Sequence, residues 1–139
     1  MIVQYHHEGC GTSRRVLHIL RSAGLDPVVI DYSREGWTRS HLLGLFAAAD
    51  LRPREALRVK GGRAEALGLT APDVEDETIL AAMTDDPMLV ERPFVCAPKG
   101  TRLCRPAPRV LDLMDRLPPG PFEMEDGTPL IGEDGARLA

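Results

Sequence analysis

A single cysteine stands among small, polar and basic residues close to the start of the sequence. The stretch HHEGCGTSRR (6–15) places Cys10 between an apolar run, IVQY (2–5), and a segment whose apolar residues have helical spacing. A thiol is a nucleophile only as the thiolate, and a free cysteine is mostly protonated at neutral pH. The unpaired N–H groups and the positive dipole end of a helix N-terminus both favour the thiolate. The position therefore predicts that Cys10 is a nucleophile.

The residues after Cys10 favour an anion. Gly11, Thr12 and Ser13 are small, and the two hydroxyls can donate hydrogen bonds to an anion, although such residues also begin ordinary helices. Arg14 and Arg15 occupy first-turn positions where acidic residues are normally stabilising. A small, inert, buried cysteine is the commoner alternative in general. The flanking Gly, Ser and Arg residues favour the reactive alternative here.

Two known cysteine motifs do not fit the spacing around Cys10. The Cys-x5-Arg loop of low-molecular-weight phosphatases requires arginine at position 16, which is Val16. A Cys-x-x-Cys redox pair requires cysteine at position 13, which is Ser13. Cys10 has no resolving thiol nearby in the sequence, so we expect an external thiol to be required.

The remaining cysteines do not indicate a metal site or a disulfide scaffold. His6, His7 and Cys10 are an alternative zinc set, but Cys96 and Cys104 are not spaced as a ligand pair. Three cysteines are an odd number, which argues against a disulfide framework. We therefore predict free thiols and no metal.

Composition narrows the class of protein. A chain of 139 residues suits one domain with a real core. The net charge of −4 argues against nucleic acid as the main partner. No apolar run approaches the roughly 20 residues that span a bilayer, and no signal-peptide pattern opens the sequence. We predict a cytoplasmic protein with no membrane partner.

The first part of the sequence predicts a strand, a helix and a second strand. Residues 2–5 form a short buried strand, and PVVIDY (27–32) forms another. From Thr12 one helical face carries four apolar residues, and Gly24 ends the helix; the four are Val16, Leu17, Leu20 and Ala23. Such a βαβ unit has parallel strands and a right-handed crossover.

The middle of the sequence, 38–86, predicts a helical block. Asp76 is the expected N-cap of its last helix, and Asp86-Pro87 is the expected end. The residues at helical spacing are Leu42, Leu43, Phe46, Ala49, Ala56, Leu57, Ile79, Leu80 and Met83.

The last third predicts a hairpin, a helix and a tail. PFVCAP (93–98) and TRLCRP (101–106) are expected strands joined by a Lys99-Gly100 turn. Pro106 suits the first turn of a closing helix; its inward residues would be Val110, Leu111, Met114 and Leu117. From Pro118 onward the composition predicts an extended tail with little core of its own.

The order of these elements predicts an α/β fold. Without its helical block it is the βαβ…ββα order of a thioredoxin/glutaredoxin-like domain. We therefore predict one domain over 1–139, with a core at about 1–35 and 90–117. A helical insertion fills about 36–89, and the tail is 118–139.

Two arginines are placed to bind an oxyanion. A tetrahedral anion is held well by planar guanidinium groups that give paired, charge-assisted hydrogen bonds. Arg92 and Arg105 each precede a proline at a strand boundary, Pro93 and Pro106. A single arginine is more often a solvated surface residue, and the strand-boundary positions favour the binding role.

Four stretches, taken in order, resemble the signature segments of the glutaredoxin-dependent arsenate reductases. They are YHHEGCGTSRR (5–15), ALRVKG (56–61), ERPFV (91–95) and KGTRLCRP (99–106). These reductases are thioredoxin-like proteins related to the Spx regulators. The similarity runs from the first strand to the final GARL, and CGTSR with GTRLCRP is specific to the reductase branch.

The resemblance implies a role for particular residues. In that family the cysteine of CGTSR attacks arsenate, which is Cys10 here. Three arginines bind the oxyanion, and they correspond to Arg58, Arg92 and Arg105. Gly11, Thr12 and Ser13 complete the expected binding loop, and the family's histidine, thought to help keep the thiol ionised, corresponds to His6.

Three positions carry further expectations. Proline is common in the family where this sequence has Glu8, and an inward-facing acid there would raise the pKa of the thiol. We therefore expect Glu8 to face solvent. Cys96 replaces an aliphatic strand residue and is expected to pack in the core. By analogy with thioredoxin-like folds, the Arg92-Pro93 peptide bond is the candidate for a cis bond that faces the thiol.

The resemblance implies reduction of arsenate to arsenite, a step of arsenic detoxification. Glutathione would be the cosubstrate and glutaredoxin the partner, with no metal or bound cofactor. An Spx-like regulator that binds RNA polymerase is an alternative. Most such proteins carry a Cys-x-x-Cys motif, whereas this sequence has serine at position 13. A thiol oxidoreductase of the same fold with another substrate also remains open.

Overall fold

The computed structural model describes residues 1–139, which divide into two units. The sheet unit comprises residues 1–30 and 92–139, and the helical unit comprises residues 31–91. None of the helices combines the length and the apolar character that crossing a membrane requires.

A four-stranded sheet is the frame of the sheet unit. Its strands lie in the order β2-β1-β3-β4, with bounds β1 Val3–His6, β2 Val28–Asp31, β3 Phe94–Ala97 and β4 Gly100–Leu103. Strand β3 pairs antiparallel with β1 on one side and with β4 on the other. Helix α1, Gly11–Ser22, connects β1 to its neighbour β2. The predicted α/β class and the predicted order of strands and helix are confirmed.

Helix α1 forms where the apolar spacing predicts it. The four predicted inward residues, Val16, Leu17, Leu20 and Ala23, are all buried. The helix ends in a Schellman motif, because the Gly24 N–H donates to the Arg21 carbonyl and the Leu25 N–H to the Leu20 carbonyl. Gly24 has φ +79°, which a glycine adopts without strain.

The β3–β4 hairpin is confirmed, with its turn one residue earlier than predicted. Ala97 pairs with Gly100, so the turn consists of Pro98 and Lys99. Gly100 is the first residue of β4 and has φ +149°, a backbone conformation that favours glycine. The glycine is therefore required at the start of β4 and is not one of the two turn residues.

The predicted closing helix is shorter than expected and is a 3₁₀ helix, Ala107–Leu113. Pro106 precedes its first turn, and Pro108 lies within that turn without an N–H to donate. The Arg109 N–H donates to the Pro106 carbonyl three residues back, as a 3₁₀ helix requires. Val110, Leu111 and Met114 are buried as predicted, whereas Leu117 is only half-buried.

The helical unit contains four short α-helices and two 3₁₀ turns. They are α2 Tyr32–Glu35, α3 Arg39–Ala48, α4 Arg63–Ala66 and α5 Asp76–Asp85, with 3₁₀ turns at Pro53–Ala56 and Pro87–Leu89. Most of the predicted apolar positions are buried, but Leu43 is 38% exposed and Leu45 is buried instead. Helix α5 ends at Asp86 as predicted, while its N-cap is Glu75 rather than Asp76.

The predicted tail is part of the fold. Strands β5, Phe122–Glu123, and β6, Pro129–Ile131, form a C-terminal hairpin. Leu130 and Ile131 are fully buried in the same apolar cluster as Ile19 of α1. The expectation of little core beyond Pro118 is wrong, because Leu130 and Ile131 belong to the main core and Phe122 and Met124 pack against it.

We predict that Leu130→Ala destabilises the protein. The side chain is fully buried, and a leucine truncated in a core usually costs about 2–5 kcal/mol of unfolding free energy. Leu138→Ala is the matched control, because that leucine is 58% exposed in the same segment and its loss should change the free energy by less than about 0.5 kcal/mol. Urea unfolding of both variants measures the difference. Equal midpoints would show that the hairpin contributes nothing to the core.

Candidate active site

Cys10 is the N-cap residue of α1. Its backbone is extended, with φ −95° and ψ 119°. The Cys10 N–H donates to the His7 carbonyl at 3.0 Å, and the Cys10 carbonyl accepts from the Arg14 N–H at 3.1 Å. The residue is 8% exposed. The sulfur therefore lies at the open end of the helix, where N–H groups lack partners within the helix.

Four hydrogen-bond donors act on the Cys10 sulfur. Burial alone would raise the pKa of the thiol. The Ser13 N–H, the Arg92 side chain, the Ser13 hydroxyl and the Arg105 guanidinium outweigh burial and lower the pKa of Cys10 from 9.0 to about 7. Arg105 Nη1 lies 3.7 Å from the sulfur. A large fraction of Cys10 is therefore thiolate at neutral pH.

Arg92 and Arg105 are held together beside the thiol. Arg105 Nη1 donates to the Arg92 carbonyl at 2.9 Å as well as to the sulfur. Arg92 is buried although it carries a charge. The peptide bonds Arg92-Pro93 and Arg105-Pro106 are both cis, so the expected cis bond is confirmed and a second one accompanies it. The arrangement sets guanidinium groups around a nucleophile, which suits an oxyanion substrate.

The small residues of the first turn hold the loop in shape. Ser13 is fully buried, and its hydroxyl accepts from the His7 N–H at 3.5 Å while it donates to the Cys10 sulfur. The Thr12 hydroxyl accepts from Arg15 Nη2 at 3.4 Å. Gly11 begins the helix directly after the thiol. Of these residues, Ser13 is the one that contacts the sulfur.

Gln4 is a buried polar residue of β1 that sequence analysis missed. Its amide nitrogen donates to the Ser13 carbonyl at 2.9 Å and to Nδ1 of His6 at 3.1 Å. Gln4 thereby fixes both the helix turn that carries the thiol's donors and the ring of His6. The available signal was that Gln4 and His6 are two residues apart in a strand and therefore share its inward face.

His6 contacts Gln4 and Glu8. Because the Gln4 amide nitrogen can only donate, Nδ1 of His6 accepts and the ring proton resides on Nε2. Nε2 donates to the Glu8 carboxylate at 2.7 Å. Glu8 is 81% exposed, which confirms that it faces solvent, and its hydrogen bond with His6 lowers its pKa. His6 thus links the buried Gln4 to a surface carboxylate.

Arg58 lies in the helical unit and is paired with Glu91. Its Nη1 is 2.7 Å from Oε1 of Glu91, and both side chains are mostly buried. The two residues come from adjacent segments, because the Arg58 N–H donates to the Leu89 carbonyl and Leu57 bridges to Val90. The acid beside Arg58 was not foreseen from the sequence. The part of Arg58 in oxyanion binding stays a prediction.

The other two thiols lack the environment of Cys10. Cys104 is fully buried, and burial raises the pKa of its thiol to about 12. Cys96 lies on β3 and is only half-buried, so it is not one of the buried core residues, contrary to expectation. The last two residues of β3 are less buried than its first two. No group of three or more His, Cys, Asp or Glu side chains is placed to hold a metal ion.

Comparison with known proteins agrees with this geometry. Residues 5–113 match the ArsC family, a span that contains Cys10, Arg92 and Arg105. The chain belongs to the ArsC family. The match also covers Arg58 and the whole helical unit, so the resemblance noted in the sequence is confirmed at the level of the family.

Relatives of this ArsC-family chain are similar over nearly their full length. Arsenate reductase ArsI2 of Synechocystis sp. is 56% identical over 138 residues, which is 99% of each chain. The arsenate reductase of Escherichia coli K12 is 38% identical over 137 residues, 99% of this chain and 97% of the other. The solved structure of the arsenate reductase from Vibrio cholerae superposes with a TM-score of 0.77 at 32% identity. It covers 81% of this chain and 97% of that one. The thioredoxin-like fold expected for the family is confirmed.

We predict that Cys10 is the thiol most reactive toward iodoacetamide at neutral pH. Its alkylation rate should rise with pH and reach half its maximum near pH 7, because the pKa is about 7 and only the thiolate reacts. Cys104 should resist alkylation until the protein unfolds. Peptide mapping by mass spectrometry at a series of pH values measures each rate. Sulfate should slow alkylation of Cys10, and a Cys10 profile that titrates near pH 9 and ignores sulfate would contradict the activated thiol.

A second prediction concerns Gln4. Gln4→Leu removes the donor to the Ser13 carbonyl, which loosens the turn that presents the Ser13 N–H and hydroxyl to the sulfur. The pKa of Cys10 should therefore rise, and the alkylation profile should move to higher pH. Tyr5→Phe, at the next position of β1, is the control and should leave the profile unchanged. A loss of thermal stability without any shift of the profile would assign Gln4 a purely structural role.

Proposed function

We propose that this chain reduces arsenate to arsenite with Cys10 as the nucleophile. The observation that carries the proposal is a thiol of lowered pKa with two guanidinium groups beside it. An arginine cluster neutralises a tetrahedral oxyanion while the thiolate approaches it. The names of the relatives in Synechocystis and E. coli support arsenate as the anion.

The first step forms a bond between sulfur and arsenic. The Cys10 thiolate attacks arsenic(V) of dihydrogen arsenate, the S–As bond forms, and one As–O bond breaks. The departing oxygen takes up a proton and leaves as water. The product is a thiol-bound arsenic(V) adduct whose charge Arg92 and Arg105 would continue to offset. Arg58 is the proposed third guanidinium, as the family resemblance implies.

The second step transfers two electrons to arsenic. One external thiol displaces a further oxygen of the adduct as water, and a second thiol attacks the sulfur of the first. The two thiols become one disulfide, arsenic(V) becomes arsenic(III), and water releases arsenite from Cys10. The net reaction consumes dihydrogen arsenate and two thiols and yields arsenite, one disulfide and one water. No metal or bound cofactor enters this scheme.

We further propose that glutathione and glutaredoxin supply the two thiols. The chain has serine at position 13, and the buried Cys104 has a raised pKa. A chain without a ready resolving thiol requires external ones. Glutathione is abundant in the reducing cytoplasm, which is the location that we propose for this enzyme.

His6 has a supporting role in the proposal. Its ring is fixed between Gln4 and Glu8, within the loop that precedes the thiol. We propose that His6 supports the thiol by holding the shape of this loop through these two hydrogen bonds.

The test is a coupled assay of arsenate-dependent NADPH oxidation with glutathione, glutaredoxin and glutathione reductase. Cys10→Ser should reduce turnover by roughly three orders of magnitude or more, because the nucleophile is lost. Cys96→Ala is the matched control and should retain most of the activity. Thioredoxin should not replace glutathione and glutaredoxin. Full activity of Cys10→Ser would reject the proposed nucleophile, and turnover with thioredoxin alone would reject the proposed donors.

A further inference from the structure

A groove runs along the sheet unit between helix α1 and the C-terminal hairpin. It consists of two adjoining cavities of about 130 Å³ and about 500 Å³ that share Arg15, Met124 and Glu125. Gly11 lines the smaller cavity, and Thr12 lines the larger one. We call this the hairpin groove. Its lining includes the two residues that follow Cys10 but not Cys10 itself.

One wall of the hairpin groove carries two positive charges. A Cβ placed on Gly11 would lie 3.1 Å from Nη1 of Arg15 and 3.7 Å from Nη2 of Arg14, so both guanidinium groups fold over this glycine. Their hydrogen-bond acceptors are uncharged, namely the Glu8 carbonyl at 2.6 Å and the Thr12 hydroxyl at 3.4 Å.

These two charges lie at the N-terminus of α1, where the electrostatic potential is already positive. The first turn of α1 has no acidic residue, and its backbone adds the positive end of the helix dipole. Carboxylates already lie within electrostatic reach of both guanidinium groups, because Asp126 interacts with Arg15 and Glu8 interacts with Arg14. This wall therefore favours an anionic group.

The opposite wall has a different character. Phe122 and Met124 give it an apolar surface, and Phe122 stacks on His18 of α1 with ring centroids 5.7 Å apart. Glu125 lines both cavities, and Asp126 lines the larger one. The groove thus combines two cations, an apolar surface and two carboxylates. This lining is complementary to a small zwitterion that carries both carboxylate and ammonium groups.

We propose that the hairpin groove binds glutathione. The tripeptide has a carboxylate at each end, one ammonium group and a thiol on its central residue. One carboxylate would bind Arg14 and Arg15, and the ammonium group would face Glu125 and Asp126. The thiol would then lie along the edge of the groove that adjoins Cys10 through Gly11 and Thr12. This inference rests on the proposed function, because it assigns a binding site to the proposed cosubstrate.

The direct test titrates the full chain with S-methylglutathione by isothermal titration calorimetry. This probe has no free thiol, so binding requires no turnover. The double variant Arg14→Gln and Arg15→Gln should weaken binding by roughly tenfold or more, because charge-assisted hydrogen bonds are lost. Glu125→Gln, on the opposite wall, should also weaken binding. Arg21→Gln is the matched control, since Arg21 is an exposed arginine of the same helix outside the groove.

Kinetics provide a second measurement. In the coupled assay the double variant should raise the KM for glutathione by roughly tenfold, with the KM for arsenate unchanged. Absence of saturable S-methylglutathione binding to the wild-type chain, or equal affinity of the wild type and the double variant, would overturn the assignment. The titration separates the two proposals. A chain that binds the probe in the groove but reduces no arsenate would refute the function alone, and a chain that reduces arsenate without binding the probe would refute the groove alone.

Discussion

The stabilisation of a negative charge on a mostly buried sulfur is the constraint on which this structure depends. Removal of a thiolate from water is unfavourable, so fixed donors must replace the lost solvent. The chain supplies them from distant parts of the sequence: Ser13 on the first turn of α1, and Arg92 and Arg105 at the two ends of the β3–β4 hairpin. Strand β1 and Gln4 then fix the turn against the sheet. The sheet order, with β3 beside β1, is what allows these segments to meet at one atom.

Much of the sheet unit could be predicted because its signals are local. The spacing of apolar residues predicts α1, and Gly24 marks its end. Two short apolar runs separated by a tight turn predict the β3–β4 hairpin. The errors arise where local signals are weak. Two prolines near position 107 favour a 3₁₀ helix over an α-helix. A two-residue apolar anchor in a polar segment has no periodicity, so the burial of Leu130 and Ile131 was not visible in the sequence.

The candidate site was predictable to the extent that its residue types are unusual in their positions. A cysteine at a helix start and arginines before strand-boundary prolines indicated Cys10, Arg92 and Arg105, and the structure brings these three together. The acid beside Arg58 depends on a pairing of segments that no local pattern encodes. The role of Gln4 was hidden for a different reason. An amide in a strand is usually a solvated residue, and only the position of α1 on that face reveals its partners.

The C-terminal hairpin also constrains when the protein can become reactive during its synthesis. Helix α1 is synthesised well before its core neighbours Leu130 and Ile131, which lie far downstream in the sequence. Contacts between such distant segments form only after the intervening chain has been made. Arg92 and Arg105 likewise emerge long after Cys10. The nascent chain therefore carries an ordinary, largely protonated thiol, and the easily oxidised thiolate arises only after Arg92 and Arg105 have been made.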